Sequence, residues 1–367
     1  MAGESLIKKI ELSIRKISIR ALKALFHKEK LQDKLPIDFQ NAKVLFLRQN
    51  QIGDALISAP IFKALKEAYP NIHLDVLLDR RNQFVYNTNP YVRKKWVIKL
   101  HRFDFFSTLK AIRKEKYDVV IDLIHSASST STIFTIFSKA RYSVGFIREN
   151  DFIYNHAYAL NPQKRMMAQL AAVLTSFQLN PDKIHLEPYF VLTPLSKDFA
   201  QKEMTRVRLK EGHYPILIIN LSSSRKEKFW GKANFIALIQ SLRTRTHQYA
   251  IAIVSSKGDR EIAEEICNAT KAFLFSETSR FEEFAALISN ASLLITPDSA
   301  ASHLGDGFQV PTLILTHLSK GNTEWYPSKA KHLVIHSSGG DVKSITLSEV
   351  ISALSTLEQN ASGNYIT

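Results

Sequence analysis

"KVLFLRQNQIGDALISAPIFKALKEAYPNIHLDVLLD", residues 43–79, decides the fold. An apolar run (43–48) enters a glycine-containing loop, a helix-patterned stretch follows (55–70), and a second apolar run (72–79) closes the unit. Strand, crossover helix and strand in succession are the unit from which helix-covered parallel sheets are built. The alternation continues with "DFFSTLKAIRKEKY" (104–117) as helix and "DVVIDL" (118–123) as a buried strand. The polar stretch "LTPLSKDFAQKEM" (192–204) interrupts it with mixed loop and helix signals. The pattern then restarts. Strands are expected in 215–224, 249–256, 292–299 and 311–316, and helices in 234–242 and 260–269. The sheet therefore occurs twice. The expected division is an N-terminal extension (1–40), a first α/β doubly wound domain (41–195) and a second (196–367), facing a central cleft. In open parallel sheets, ligands bind outside the carboxyl ends of the strands.

Composition agrees with two ordinary globular domains. The chain has 367 residues, 45% hydrophobic and 23% charged, above the usual size of one domain. The lone cysteine, Cys267, excludes an intrachain disulfide framework and fits a reducing cytoplasm. No apolar run approaches the roughly 20 residues that span a bilayer, and the start lacks the core of a signal peptide. The expected location is therefore cytoplasmic. A net charge of +15 points to an anionic partner: nucleic acid, a phosphorylated small molecule or a membrane surface. Residues 1–30 carry eight Lys/Arg against three Glu, with Ile7, Ile10, Ile14, Ile17 and Ala21 on one helical stripe. Such a basic amphipathic helix, over residues 5–30, suits an anionic membrane surface, or else packs on the protein itself. The bases are dispersed and no RNP-like basic–aromatic motif occurs, so no nucleic-acid partner is expected.

Four strand ends carry candidate chemistry. "RQNQIGD" (48–54) sets Arg48 and Gly53 beside Asp54, which reads as a helix cap or as a general base. "SSSRKEKFW" (222–230) offers Ser223 and Ser224 in a hydroxyl-rich turn before Lys228. "SSKGDRE" (255–261) brings a flexible glycine and two acids, including Glu261. In "TPDSAASHLG" (296–305), Asp298 is expected to cap a helix whose first turn is Ser299, Ala300 and Ala301. A helix start has unpaired N–H groups and partial positive charge, and small side chains there admit a diphosphate. His303, one turn in, is placed to donate to a phosphate or sugar oxygen. Neither a Walker loop nor G-x-G-x-x-G occupies the first strand–helix joint.

Together these loops resemble glycosyltransferase family 9, the lipopolysaccharide heptosyltransferases and their relatives, over roughly residues 43–330. The resemblance implies a GT-B fold of two Rossmann-like domains and a reaction without metal; no D-x-D triplet, the metal-holding signature of the other large glycosyltransferase fold, is present. It implies Asp54 as catalytic carboxylate, and Ser223, Ser224, Lys228, Glu261, Asp298, Ser299, Ala300 and His303 as the donor-binding set. Arg48 and Gly53 fall on the acceptor-side loop. Implied substrates are a nucleotide-sugar, ADP-heptose above all, and a lipid-anchored saccharide met on the cytoplasmic face of the inner membrane. A different nucleotide-hexose donor, or a non-catalytic nucleotide-sugar binding protein, are the alternatives. The chain departs from the family pattern at Ala300, where many relatives have glycine, and at Gly231 and Ala233, which replace a proline and an acid. The extension of about 40 residues is also unusual.

Overall fold

A computed structural model describes residues 22–32, 35–98, 102–223, 225–245, 249–318 and 324–362. The chain forms two compact units that divide between Leu186 and Glu187. In the first unit six parallel strands form one sheet: β1 (Lys43–Leu47), β2 (His73–Asp79), β3 (Lys94–Ile98), β4 (Val119–Asp122), β5 (Tyr142–Phe146) and β6 (His156–Tyr158). Its order is β3-β2-β1-β4-β5-β6. Helices α1 (Ile52–Ala68), α2 (Arg102–Lys114), α3 (Ser129–Phe137) and α4 (Met166–Leu170) connect and cover it. The chain reverses direction across the sheet between β1 and β4, and the register pairs Leu47 with both Leu77 and Asp122. The carboxyl ends of β1 and β4 are therefore level, and β2 runs two residues further. Strands β1 and β4 are buried almost throughout, so they read as continuous apolar runs, as both-face-covered parallel strands do.

The second unit repeats the design with β7 (Ile216–Asn220), β8 (Ala250–Val254), β9 (Phe273–Leu274), β10 (Leu293–Pro297), β11 (Thr312–Thr316) and β12 (His332–His336). The order β12-β11-β10-β7-β8-β9 follows the same path, with its reversal between β7 and β10. Its helices are α5 (Pro194–Glu211), α6 (Lys232–Arg243), α7 (Arg260–Thr270), α8 (Phe281–Ser289), α9 (Ala300–Gly307) and α10 (Leu347–Ser362). Alternate strand residues Leu217, Ile219, Ile251, Ile253, Leu293 and Ile295 meet Phe235, Leu238 and Ile239 of α6 in one core. At the close packing of α9 on β11, a Cβ on Gly305 would stand 2.6 Å from Thr312 Oγ1, so only glycine fits.

The stretch 192–204 resolves as the start of α5: Thr193 Oγ1 accepts the Ser196 N–H at 3.1 Å and Pro194 opens the helix. Residues 187–193 go with the second unit, which moves the division earlier than the expected 195/196. Glu187 pairs with Lys329, and the Phe190 ring meets Phe281 at 5.4 Å.

Most of the expected amphipathic segment, residues 1–21, lies outside the described residues. Its continuation packs on the first unit. Phe26 meets the Phe137 ring at 5.7 Å, the Lys28 N–H donates to Phe152 O at 2.9 Å, and the Leu31 N–H to Asn155 O at 3.1 Å. The Asn155 side chain returns a bond to Glu29 O at 2.8 Å. Among the described residues no helix is long and apolar enough to cross a membrane.

Candidate functional site

In the first unit the chemistry gathers where β1 ends. Helix α1 begins at Ile52, so the cap is Gln51, not Asp54, and Gly53 lies inside the first turn rather than before it. The reason is the carboxylate's reach. Asp54 sits three residues past the cap and accepts the Gln51 N–H on Oδ2 at 3.0 Å, the reciprocal half of a capping box. Its other oxygen faces the Arg48 guanidinium at 3.4 Å.

Arg48 is fully buried. Its Nε donates to Asp54 O at 2.9 Å and its Nη1 to Leu123 O in the loop after β4, while Asn82 Nδ2 donates to Arg48 O at 2.7 Å. Burial pulls the guanidinium below its ordinary value, and Asp54, Tyr86 and Asp122 oppose that shift. A second buried pair stands beside the first. Asp122, at the end of β4, accepts Arg148 Nη2 at 2.5 Å and Tyr154 OH at 2.8 Å. Arg148 also donates to Ile124 O and, at 2.9 Å, to Ser126 O. The two arginines thus clamp the loop after β4 from either side, at the point where the sheet reverses. An Arg–carboxylate pair in low dielectric holds geometry strongly, because breaking it strands a buried charge.

In the second unit the corresponding place lies between the ends of β7 and β10. Asn220, the last residue of β7, spans it: Nδ2 donates to Thr296 Oγ1 at 2.9 Å, Ser222 O at 3.0 Å and Ser299 Oγ at 3.3 Å. The helix cap here is Ser299, whose Oγ accepts the Ala301 N–H at 3.3 Å, so α9 starts at Ala300. Asp298 is not the cap as expected; its carboxylate is turned to Lys228 instead. Lys228 Nζ donates to Asp298 Oδ2 at 2.7 Å and to Asp298 O at 2.8 Å, which fixes the ammonium beside the opening turn of α9. Trp230, two residues on, is buried, with Nε1 donating to Ile345 O at 2.8 Å. Gly231 follows at φ 111, a left-handed conformation that suits glycine, and α6 begins there without a side-chain cap.

Ser223 is half-buried and donates to Arg225 O at 2.7 Å, Ala300 and His303 are half-buried, and Glu261 is exposed in the first turn of α7. Ser224 lies outside the described residues. The acid held at that strand end is Asp259, which the sequence reading did not single out. Its Oδ2 accepts Ser222 Oγ at 2.6 Å and Ser256 Oγ at 2.7 Å, and the Ser256 N–H donates to Ser222 Oγ at 2.6 Å. This set joins the ends of β7 and β8. Asn220 and Asp122 carried a visible signal, each being a polar residue closing a buried apolar run; Asp259 is one of the two acids of the 255–261 loop, and Arg148 carried none.

The sequence matches the profile of glycosyltransferase family 9 (heptosyltransferase) over residues 105–342. The chain belongs to glycosyltransferase family 9. It is 23% identical over 276 residues to lipopolysaccharide heptosyltransferase 3 of Escherichia coli, covering 72% of this chain and 80% of that one. In structure this glycosyltransferase is similar to the family 9 glycosyl transferase of Veillonella parvula, with a TM-score of 0.74 at 19% identity, covering 88% and 99% of the two chains. It is similar also to E. coli ADP-heptose lps heptosyltransferase II, at TM-score 0.69 and 18% identity, covering 87% and 99%. Those likenesses show the fold, which is GT-B. Among the described residues of the glycosyltransferase, no group of three or more His, Cys, Asp or Glu is arranged to hold a metal ion.

Proposed function

We propose that this glycosyltransferase moves heptose from ADP-heptose to a lipopolysaccharide-core acceptor, with inversion and without a metal ion. The observation that carries the reading is the ammonium of Lys228, held by Asp298 at the start of α9 where the second sheet reverses. Lysine has three N–H donors, and Asp298 takes two. The third meets the donor diphosphate, together with the backbone N–H groups opening α9. Ser223, Ser224, Ala300 and His303 border that diphosphate, and Glu261 or Asp259 holds the ribose.

The first unit takes the acceptor, and the second the donor. The acceptor hydroxyl attacks the anomeric carbon as the bond from that carbon to the diphosphate oxygen breaks. Its proton passes to Asp54, and the electron pair leaves with ADP, whose added charge falls to Lys228 and α9. Arg48 and Gly53 set the position of Asp54: the guanidinium occupies one carboxylate oxygen, and glycine leaves space over the first turn. The reaction belongs on the cytoplasmic face of the inner membrane, where a lipid-anchored acceptor is found, and the basic amphipathic sequence ahead of Leu22 suits anionic lipid there.

The test is a panel of ADP-, UDP- and GDP-sugars assayed for nucleoside diphosphate release with a core acceptor, with and without excess EDTA. Release from ADP-heptose alone, unchanged by EDTA, is expected. Turnover with only a hexose donor rejects the donor, and loss in EDTA rejects metal independence.

A further inference from the structure

In the loop "RQNQIGD" (48–54) one side chain has no task in the proposed reaction. Gln49 is half-buried, yet its amide Nε2 and Oε1 are both buried, and neither has a hydrogen-bond partner among the described residues. The backbone on either side is fixed. The Arg48 N–H donates to Leu77 O at 2.9 Å, Asn82 Nδ2 donates to Arg48 O at 2.7 Å, and the Gln51 N–H closes the capping bond on Asp54 at 3.0 Å. A buried polar group without a partner costs folding free energy, so each one in a native chain calls for a reason.

The place of such atoms supplies one. Ser255 follows β8, His317 follows β11 and Ser337 follows β12, and each buries a side-chain atom (Oγ, Nδ1 and Oγ) with no partner among the described residues. With Gln49 just past β1, these residues stand at carboxyl ends of parallel strands, where open α/β sheets bind ligands. Gln49 differs from the others in leaving both ends of an amide unmet. It also adjoins the pair that fixes Asp54: Arg48 donates from Nε to Asp54 O at 2.9 Å and faces Asp54 Oδ1 at 3.4 Å.

We infer that Gln49 determines acceptor specificity, its amide binding two adjacent sugar hydroxyls beside the one that loses its proton to Asp54. An amide offers a carbonyl acceptor and two N–H donors on one planar group, and each hydroxyl of a vicinal pair offers a donor and two lone pairs. A phosphate would call for a cation instead, and the adjacent Arg48 guanidinium is engaged with Asp54 and Leu123 O. No hydrogen bond holds the amide inward, so turning it onto a saccharide breaks none. The inference rests on the proposed function, which puts the acceptor on the first unit, and it names the acceptor groups that are read there.

The full chain is assayed for ADP release from ADP-heptose, with a deacylated core saccharide varied in concentration, for wild type and Gln49→Met. Methionine keeps the length of the side chain and removes the amide. The acceptor KM should rise about 5- to 150-fold, the loss of two neutral hydrogen bonds, and the change should fall on KM more than on kcat. The melting temperature should hold or rise, because an unpaired polar group leaves the interior. ADP affinity by calorimetry should match wild type. A second arm needs no variant: acceptors lacking one hydroxyl next to the attacked position should raise the wild-type KM about 2- to 12-fold, one neutral hydrogen bond. Gln49→Met should treat those acceptors and the parent saccharide alike. An unchanged acceptor KM in Gln49→Met, with or without a fall in melting temperature, overturns the role, as does a wild-type KM indifferent to every deoxy acceptor. Absence of transfer by wild type to any core saccharide is a different result, which rejects the proposed function and this role with it.

Discussion

In Asp54 a capping bond and the proposed general base fall on one side chain. One oxygen closes the first turn of α1 through the Gln51 N–H and the other lies 3.4 Å from buried Arg48. In sequence Asp54 reads as cap or as catalyst; the structure gives the carboxylate a capping bond from the third helical position, and that bond leaves a lone pair on each oxygen. Removing its charge has a structural cost too, since Arg48 would be left buried beside a neutral group. Lys228 is the simpler case. Its ammonium is paired and largely covered, with its side chain 15% exposed. Lys228→Ala should weaken ADP binding about 10- to 100-fold, the range for a hydrogen bond to a charged group, and calorimetry reads this directly. Unchanged affinity would remove Lys228 from the donor site.

At the scale of elements, the strands of each sheet that carry the site were legible and the ones at its edges were not. β1, β7, β8 and β11 are buried apolar runs of five residues each, flanked by turn signals. β3 is "KKWVI", half exposed, β6 has three residues and β9 has two, so none contrasts with a loop. β5 hides behind a glycine, and the reason is tertiary. A Cβ at Gly145 would lie 2.6 Å from the Tyr154 ring, which crosses it to reach Asp122. Helix α9 was recognised from its composition, but its cap was assigned to Asp298 one residue early, because only the pairing with Lys228 removes that carboxylate from capping. The start of α9 yields a prediction with opposed signs. Ala300→Asp places an acid in the first turn, which should hold or raise folding stability by a few tenths of a kcal/mol through the helix dipole, read from the melting curve. The same charge should abolish ADP binding. A stable variant that binds ADP normally would show that the diphosphate does not approach α9.

For the molecule as a whole, the repeated pattern in the chain predicted two sheets, and both have the same strand path with reversals at β1/β4 and β7/β10. What did not transmit was the side-chain network at each reversal, since Arg48–Leu123 and Asn220–Thr296 join residues 75 and 76 positions apart. Integrity of the second unit has a built-in reporter. Burial raises the Cys267 thiol to about 11, so near pH 8 only about one in a thousand is thiolate. Folded protein should therefore react very slowly with a thiol reagent and rapidly once unfolded by denaturant. Rapid reaction of the native chain would mean that α7 opens readily. The central claim is most directly tested by acceptor-dependent ADP release from ADP-heptose, comparing wild type with Asp54→Asn under conditions where both are folded. The account predicts a fall of about 10²- to 10⁴-fold in turnover with ADP affinity retained. Wild-type turnover by Asp54→Asn would contradict it.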